Sequence, residues 1–346
     1  MAQIARHEPS KECDVVSSYT DSSPGTCSWA IYAAICLLAA STATTARAQY
    51  DGADWTAASS RAADHCEVDF FDCCCDNCGY GPGPCERRWT LLQWSYGTSF
   101  EGGAPLDEPL VTDRPDFTEA STTVGRGVNQ IELGYGYFYD EEGDTSIRTH
   151  SYPQVLWRRG ILADWLELRV AWSYTEERVT TAGVPASASD SDDIYLGFKI
   201  ALTPQECWLP EMAIIPQMTI PVGGPFSVNE VQPGLNWLYS WEINDRLSIG
   251  GSTQGNRAAD GVTGDFYIEF AQSITTGISL TERVGAYVEW FAFFPSSADT
   301  EVSRHFIDGG FTYLWSDDLQ LDVFAGVGLN EAAADYFLGT GASFRF

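Results

Sequence analysis

From residue 128 to Phe346 the chain alternates apolar and polar positions in segments of about ten residues. In Leu319–Leu329 the odd positions are Leu319, Leu321, Val323, Ala325, Val327 and Leu329, set against Gln320, Asp322, Phe324, Gly326 and Gly328. In Leu166–Tyr174 the apolar set is Leu166, Leu168, Val170, Trp172 and Tyr174, opposite Glu167, Arg169, Ala171 and Ser173. Ile194–Leu202, Phe266–Phe270 and Val284–Phe294 repeat the pattern. A period of two means strands with two unlike faces. The spacing predicts about twelve of them, beginning near residues 129, 148, 164, 192, 210, 230, 245, 263, 280, 302, 318 and 335.

Two architectures give such strands. A soluble sandwich buries the apolar face. An antiparallel transmembrane β-barrel turns it to lipid and lines its lumen with the other face. Three features favour the barrel. The strands approach the roughly 9–11 residues that a tilted strand needs to cross a bilayer. Aromatics gather near strand ends (Tyr137, Tyr139, Trp172, Tyr174, Tyr239, Trp241, Phe294, Tyr313, Trp315 and Phe346), like interfacial girdles. With strand one running outward, the outer connections (140–147, 175–191, 221–230, 255–263, 295–303, 330–334) are mostly longer than the inner ones (159–163, 203–209, 242–244, 275–279, 316–317). The last strand runs to Phe346, as expected if it must pair with the first to leave no open edge in lipid.

Composition agrees. The chain is 13% aromatic with 32 Gly, which favours strands and turns over helices. Lys and Arg number 19 against 48 Asp and Glu, for a net charge of -29, so a nucleic-acid partner is not expected. Trp29–Ala40 (WAIYAAICLLAA) followed by Ala46-Arg47-Ala48 resembles a secretory signal, so residues 1–48 are assigned as a signal peptide. A membrane anchor is the alternative, and twelve apolar residues are short for it. Residues 49–109 form a Cys/Gly/Pro-rich periplasmic extension and linker, and 110–346 the barrel. Cys66, Cys73, Cys74, Cys75, Cys78 and Cys85 read as disulfide candidates of undetermined pairing, within the head or to envelope partners. A metal site at Cys75-x-x-Cys78 with His65 is the weaker alternative, because no second pair stands at ligand spacing. No metal or cofactor is assigned.

Before the first strand stands LVTDRPDFTEASTTVGRGVNQIELGYGYFYDEEG, Leu110–Gly143. This resembles the opening of the outer-membrane transporter family labelled "phenol meta-pathway degradation" (MetA-type), whose members begin with T-D-R-P-D-F-T-E and a Q-x-E-x-G-Y first strand. Thr112–Glu119 match without a gap, as do Gln130, Glu132, Gly134 and Tyr135. The resemblance covers about 110–346. It implies a bacterial outer-membrane barrel that passes small molecules passively, with hydrophobic or aromatic solutes suggested by the family label. The ending also resembles the C-terminal assembly signal of outer-membrane proteins, with Gly341, Phe344 and Phe346 in its places. That implies the outer-membrane assembly machinery and outer-membrane lipid as partners.

Asp113, Arg114 and Asp116 flank Pro115, which fixes a turn. They are gate or plug candidates, or else a lock that holds the start of the barrel, with Arg114 able to pair bidentately with a carboxylate. The expected lumen lining is Glu132, Glu167, Arg169, Lys199, Glu269, Arg283, Glu289, Asp308, Asp322 and Arg345. Acids exceed bases in that set, which favours cations. Two other functions stay open. One is a structural envelope anchor cross-linked through the Cys-rich head. The other is a lipid-modifying enzyme, although no catalytic residue is assigned: His150 and Ser151 are sequence neighbours and point to opposite faces. No G-x-S-x-G occurs either.

Overall fold

The computed structural model describes residues 109–206 and 208–346. The signal peptide, the extension and its cysteines fall outside the described residues. Thirteen strands follow one another: β1 Asn129–Glu142, β2 Thr145–Gly160, β3 Leu166–Thr181, β4 Val184–Ser191, β5 Ile194–Thr203, β6 Glu211–Ile220, β7 Gln232–Asn244, β8 Leu247–Ala259, β9 Phe266–Ser279, β10 Val284–Ser296, β11 Arg304–Ser316, β12 Leu319–Gly328 and β13 Tyr336–Arg345.

Each strand pairs antiparallel with its neighbours, and β13 closes on β1 from Gln130↔Arg345 to Tyr139↔Tyr336. Asn129 and Phe346 exchange both backbone hydrogen bonds, at 3.0 and 2.9 Å, so pairing continues to the last residue. The first half of β3 pairs with β5 and the second half with β4. β4 and β5 are therefore two parts of one wall strand, broken at Asp192–Asp193, and the barrel has twelve wall strands. Closure leaves the first and last strands without an open edge, which a lipid environment demands.

The strand faces are inverted relative to a soluble protein. In β9 the exposed residues include Phe266, Ile268, Phe270, Ile274 and Ile278, while Glu269, Ser273 and Thr275 are buried between them. The same belt continues through Phe198, Leu235, Val288, Phe311, Val323 and Leu338. An apolar belt around a polar interior is the pattern of a barrel immersed in a membrane. All ten girdle aromatics lie on the outer surface, none of them buried.

One expectation changes. The first two outer connections are not loops. β1–β2 stays paired to Glu142↔Thr145, and β3–β4 to Thr181↔Val184. Two-residue turns close them, the second with both Ala182 (φ 49°) and Gly183 (φ 82°) left-handed, the geometry that matches strand twist. The outer rim is raised there by hairpins whose Ser, Thr and Ala positions carry too little hydrophobic contrast for a period to be read.

Candidate functional site: a plug across the lumen

Residues 110–128 do not follow the wall. Leu110 N–H donates to the carbonyl of Asp317 in the β11–β12 turn, at the rim that holds both barrel ends. The chain climbs inside to Phe117 and crosses to β9 and β10. It then descends past β7, β6 and β3, and leaves where Arg126 bridges Gly160. Every residue from Thr112 to Thr123 is buried. The segment lies inside the barrel, and it is called the plug below. Apart from the Arg126–Gly160 bridge it adds no strand to the sheet, and it is held mainly by side chains.

Asp113 is the hub of the first contact zone. Its carboxylate meets Arg158 Nε at 3.2 Å, Lys199 Nζ at 2.8 Å and the Arg169 guanidinium. It also accepts the Ala120 N–H at 3.0 Å, folding the plug back on itself. The Asp113 N–H donates to Glu132, at 3.0 and 3.1 Å to the two oxygens. Arg158 forks onto Glu167 at 2.8 and 3.0 Å and reaches Glu132 at 3.1 Å. It also donates to the carbonyls of Val111 (3.0 Å) and Thr122 (3.1 Å) on the two limbs of the plug. Arg169 links Glu167 and Glu119, and Lys199 donates to the Ala120 carbonyl at 2.7 Å. Three bases and four acids thus meet away from water, with only Arg169 Nε among their nitrogens left without a hydrogen bond. Breaking such a network by removing one member typically costs about 3–5 kcal/mol, because a buried charge is left unpaired.

Arg114 makes the second zone. Its Nε and Nη2 each lie 3.2 Å from an oxygen of Asp322 on β12, and Nη1 donates to Gln154 at 3.0 Å. A bidentate pair was expected from the sequence, but the carboxylate is distant in sequence, not the flanking Asp113 or Asp116. Gly134 and Gly341 make the room. A Cβ at either would stand 2.3 Å from the Arg114 guanidinium.

The apex is aromatic. Phe117 stacks on Phe291 at 4.6 Å with planes 4° apart and meets Phe293 edge-on at 5.4 Å. Phe138, Phe306, Phe324 and Phe337 continue the cluster. Glu289 caps the turn, accepting the Thr118 N–H at 2.8 Å as well as the Phe117 N–H and the Thr118 hydroxyl. Asp116 accepts from Thr275 at 2.9 Å.

Nine of the ten expected lining residues are buried inside: Glu132, Glu167, Arg169, Lys199, Glu269, Glu289, Asp308, Asp322 and Arg345. They do not form one set. Glu269 pairs with Arg304 at 2.6 Å, Asp308 accepts from Tyr287 at 2.6 Å, and Arg345 pairs with Asp318 at 2.7 Å. Arg283 is a correction. Its parity in β10 is that of the interior, but the strand starts at Val284, and Arg283 lies exposed in the turn beyond the rim. Arg158, Glu119 and Phe117 are contact positions between this segment and the wall that the alternation did not reach. His150 and Ser151 point oppositely, as expected: Ser151 is buried inside, and His150 sits partly exposed against Tyr135 and Tyr137. No group of three or more potential metal ligands occurs among the described residues.

Residues 112–346 match the model of the family described as "Putative MetA-pathway of phenol degradation". No curated protein matches the chain. Among solved structures it is similar to the NanC porin (10% identity, TM-score 0.38, covering 62% of this chain and 98% of that one). It is similar also to the translocator domain of autotransporter NalP from Neisseria meningitidis (10% identity, TM-score 0.43, 64% and 89%). A third is the CymD monoaromatic hydrocarbon channel (9% identity, TM-score 0.37, 64% and 88%).

Proposed function

The chain belongs to this phenol-degradation family of bacterial outer-membrane barrels, and from that premise we propose that it is a passive channel for small solutes, gated by its own segment 110–128. The observation that carries this reading is the plug's mode of attachment. A closed barrel with a polar lumen has no structural need of an internal segment, and this one is tied in mainly by side-chain contacts that can be exchanged without opening the sheet. Withdrawal of Phe117 from the buried aromatic cluster would bare Phe291 and Phe293 to the lumen, which supports aromatic or hydrophobic solutes as the passengers. Glu132, Glu167, Arg169 and Lys199 act in this reading as the plug's sockets, not as free lumen charge.

The C-terminal pattern supports recognition by the outer-membrane assembly machinery through Phe344 and Phe346, which stack on the outer surface 6.0 Å apart. Gly341 has a second duty there, since it makes room for Arg114.

Swelling of proteoliposomes tests the reading. Phenylalanine, a membrane-impermeant aromatic solute, is expected to enter faster than a sugar of similar mass. An intact barrel that admits neither would overturn the channel reading.

A further inference from the structure

The cations inside the barrel are paired with carboxylates: Arg114, Arg158, Arg169, Lys199, Arg304 and Arg345. Three others among the described residues stand on the outer surface, toward the rim opposite the barrel ends: Arg148 on β2, Arg178 on β3 and Arg257 on β8. Arg257 is paired with Glu230 at 2.8 Å and lies over the Phe266 ring at 3.5 Å. Arg148 and Arg178 are placed differently.

Strand pairing sets these two cations side by side. Arg148 stands directly opposite Arg178 in the β2–β3 register, and both are exposed on the outer face. Directly opposed side chains start only about 5 Å apart at Cβ, and like charges there are destabilising. Arg148 holds its guanidinium over the Tyr139 ring at 5.8 Å, and neither arginine forms an ion pair among the described residues. The acids in the adjoining rows of the same face are held by tyrosines instead. Glu141 accepts the Tyr139 hydroxyl, and Glu176 accepts the Tyr152 hydroxyl at 2.7 Å. The arginine pair is therefore open to an anion from outside the protein.

The height of the pair says which anion. Arg148 lies across from Tyr139 on β1, and Tyr139 across from Tyr336 on β13, with the two rings stacked at 5.2 Å. One row nearer the membrane centre, the Tyr137 and His150 rings meet at 4.9 Å. Outward-facing aromatics of this kind mark the level of the lipid headgroups, and the wall below them meets acyl chains. At that level the group that carries negative charge is a headgroup phosphate. Arginine takes phosphate through two parallel N–H···O bonds, and two opposed arginines offer two such forks to one group.

We propose that Arg148 and Arg178 form a binding site for the phosphate group of an outer-leaflet lipid, held between their guanidinium groups on the outer face of β2 and β3. The site goes beyond the channel reading and does not depend on it. Its ligand relieves the repulsion that the strand register imposes on the pair.

The test uses the mature protein in dodecylmaltoside micelles, with phosphatidic acid as the probe. Native mass spectrometry is expected to show a phosphatidic acid adduct on the wild type that excess inorganic phosphate does not displace. In Arg148→Gln with Arg178→Gln the affinity is expected to fall about thirtyfold, about fivefold for each cation lost. Arg257→Gln, whose cation is already paired, is expected to bind as the wild type does. Equal binding by the double variant, or an equal fall in Arg257→Gln, would overturn the site. Displacement by inorganic phosphate would overturn the lipid as its ligand in favour of a dissolved anion. A second measurement serves if the glutamine variant folds poorly. Phosphatidic acid is expected to raise the temperature at which the wild-type barrel unfolds on gels, because a ligand of the folded state stabilises it. The rise is expected to be smaller for Arg148→Lys with Arg178→Lys, which keeps both charges and loses both forks. No rise in the wild type, or an equal rise in the lysine variant, would overturn the two-fork site.

Discussion

Arg114 and Asp322 stand 208 residues apart in sequence and meet inside the lumen through two bonds of 3.2 Å. One belongs to the plug and the other to the wall of β12, so this pair measures how firmly the plug is seated. Removing either partner leaves a buried charge, at a cost of about 3–5 kcal/mol to the seated state. Arg114→Ala and Asp322→Asn are each expected to raise open-channel conductance in planar bilayers. The double variant is expected to be less than additive, since the second change removes a charge already unpaired.

Asp113 touches three cations, and Asp113→Asn is expected to be the most disruptive isosteric change in the plug. Arg158, Arg169 and Lys199 would lose their shared anion, and neutral asparagine cannot replace it. Because the wall strands keep their ladders, heat-shifted gel mobility should still report a folded barrel. Protease access to the plug from the periplasmic side should rise. Unchanged protease access would count against the hub.

Gly134→Ala and Gly341→Ala place a methyl group 2.3 Å from the Arg114 guanidinium, so something must move. The plug arginine can move more easily than a paired strand. Gly134→Ala, whose Cβ would meet only the guanidinium, is expected to insert and fold but to conduct as Arg114→Ala does, and adding Arg114→Ala should produce little further change. At Gly341 the Cβ would also stand 2.6 Å from the Leu133 carbonyl oxygen on the paired strand, so Gly341→Ala is expected to lower heat-shifted barrel stability even when Arg114→Ala is added, and full rescue by Arg114→Ala would contradict that.

Asp260, in the loop between β8 and β9, carries the pH dependence. Burial opposes its charge, but the Thr300 hydroxyl and N–H and the N–H groups of Thr263 and Val262 all donate to it, and together they hold its pKa below the ordinary carboxylate value of 3.8. A depressed folded pKa stabilises the loop fully above that ordinary value. The contribution is lost as pH falls below it toward the folded pKa. Outer-loop proteolysis should therefore be flat near neutrality and rise only in strong acid, and Asp260→Ala should show the acid-like pattern at neutral pH.

Much of the wall was legible because one residue in two must face lipid. Glu269 sits between Ile268 and Phe270, and Asp322 between Leu321 and Val323, so their inward direction follows from strict alternation. Arg158 was not legible for the opposite reason. In β2 the pairing register shifts between Ser151 and Gln154, so the buried positions change from Thr149 and Ser151 to Gln154, Leu156 and Arg158. A reading that keeps one parity through Tyr152-Pro153 turns Arg158 outward. The plug's path was hidden too. Thr112–Glu119 has no period to read, and its fold is dictated by sockets on β1, β2, β3, β5 and β12 that only closure of the barrel brings together.

The most direct measurement is the planar-bilayer conductance of the mature protein beside a variant lacking Thr112 to Glu119, both shown to be folded by heat-shifted gel mobility. With the plug removed, steps larger and steadier than those of the wild type are expected, since the sockets on β2, β3 and β5 would face open water. Equal conductance from the two proteins would mean that the segment does not close the lumen, and the gate would have to be sought elsewhere.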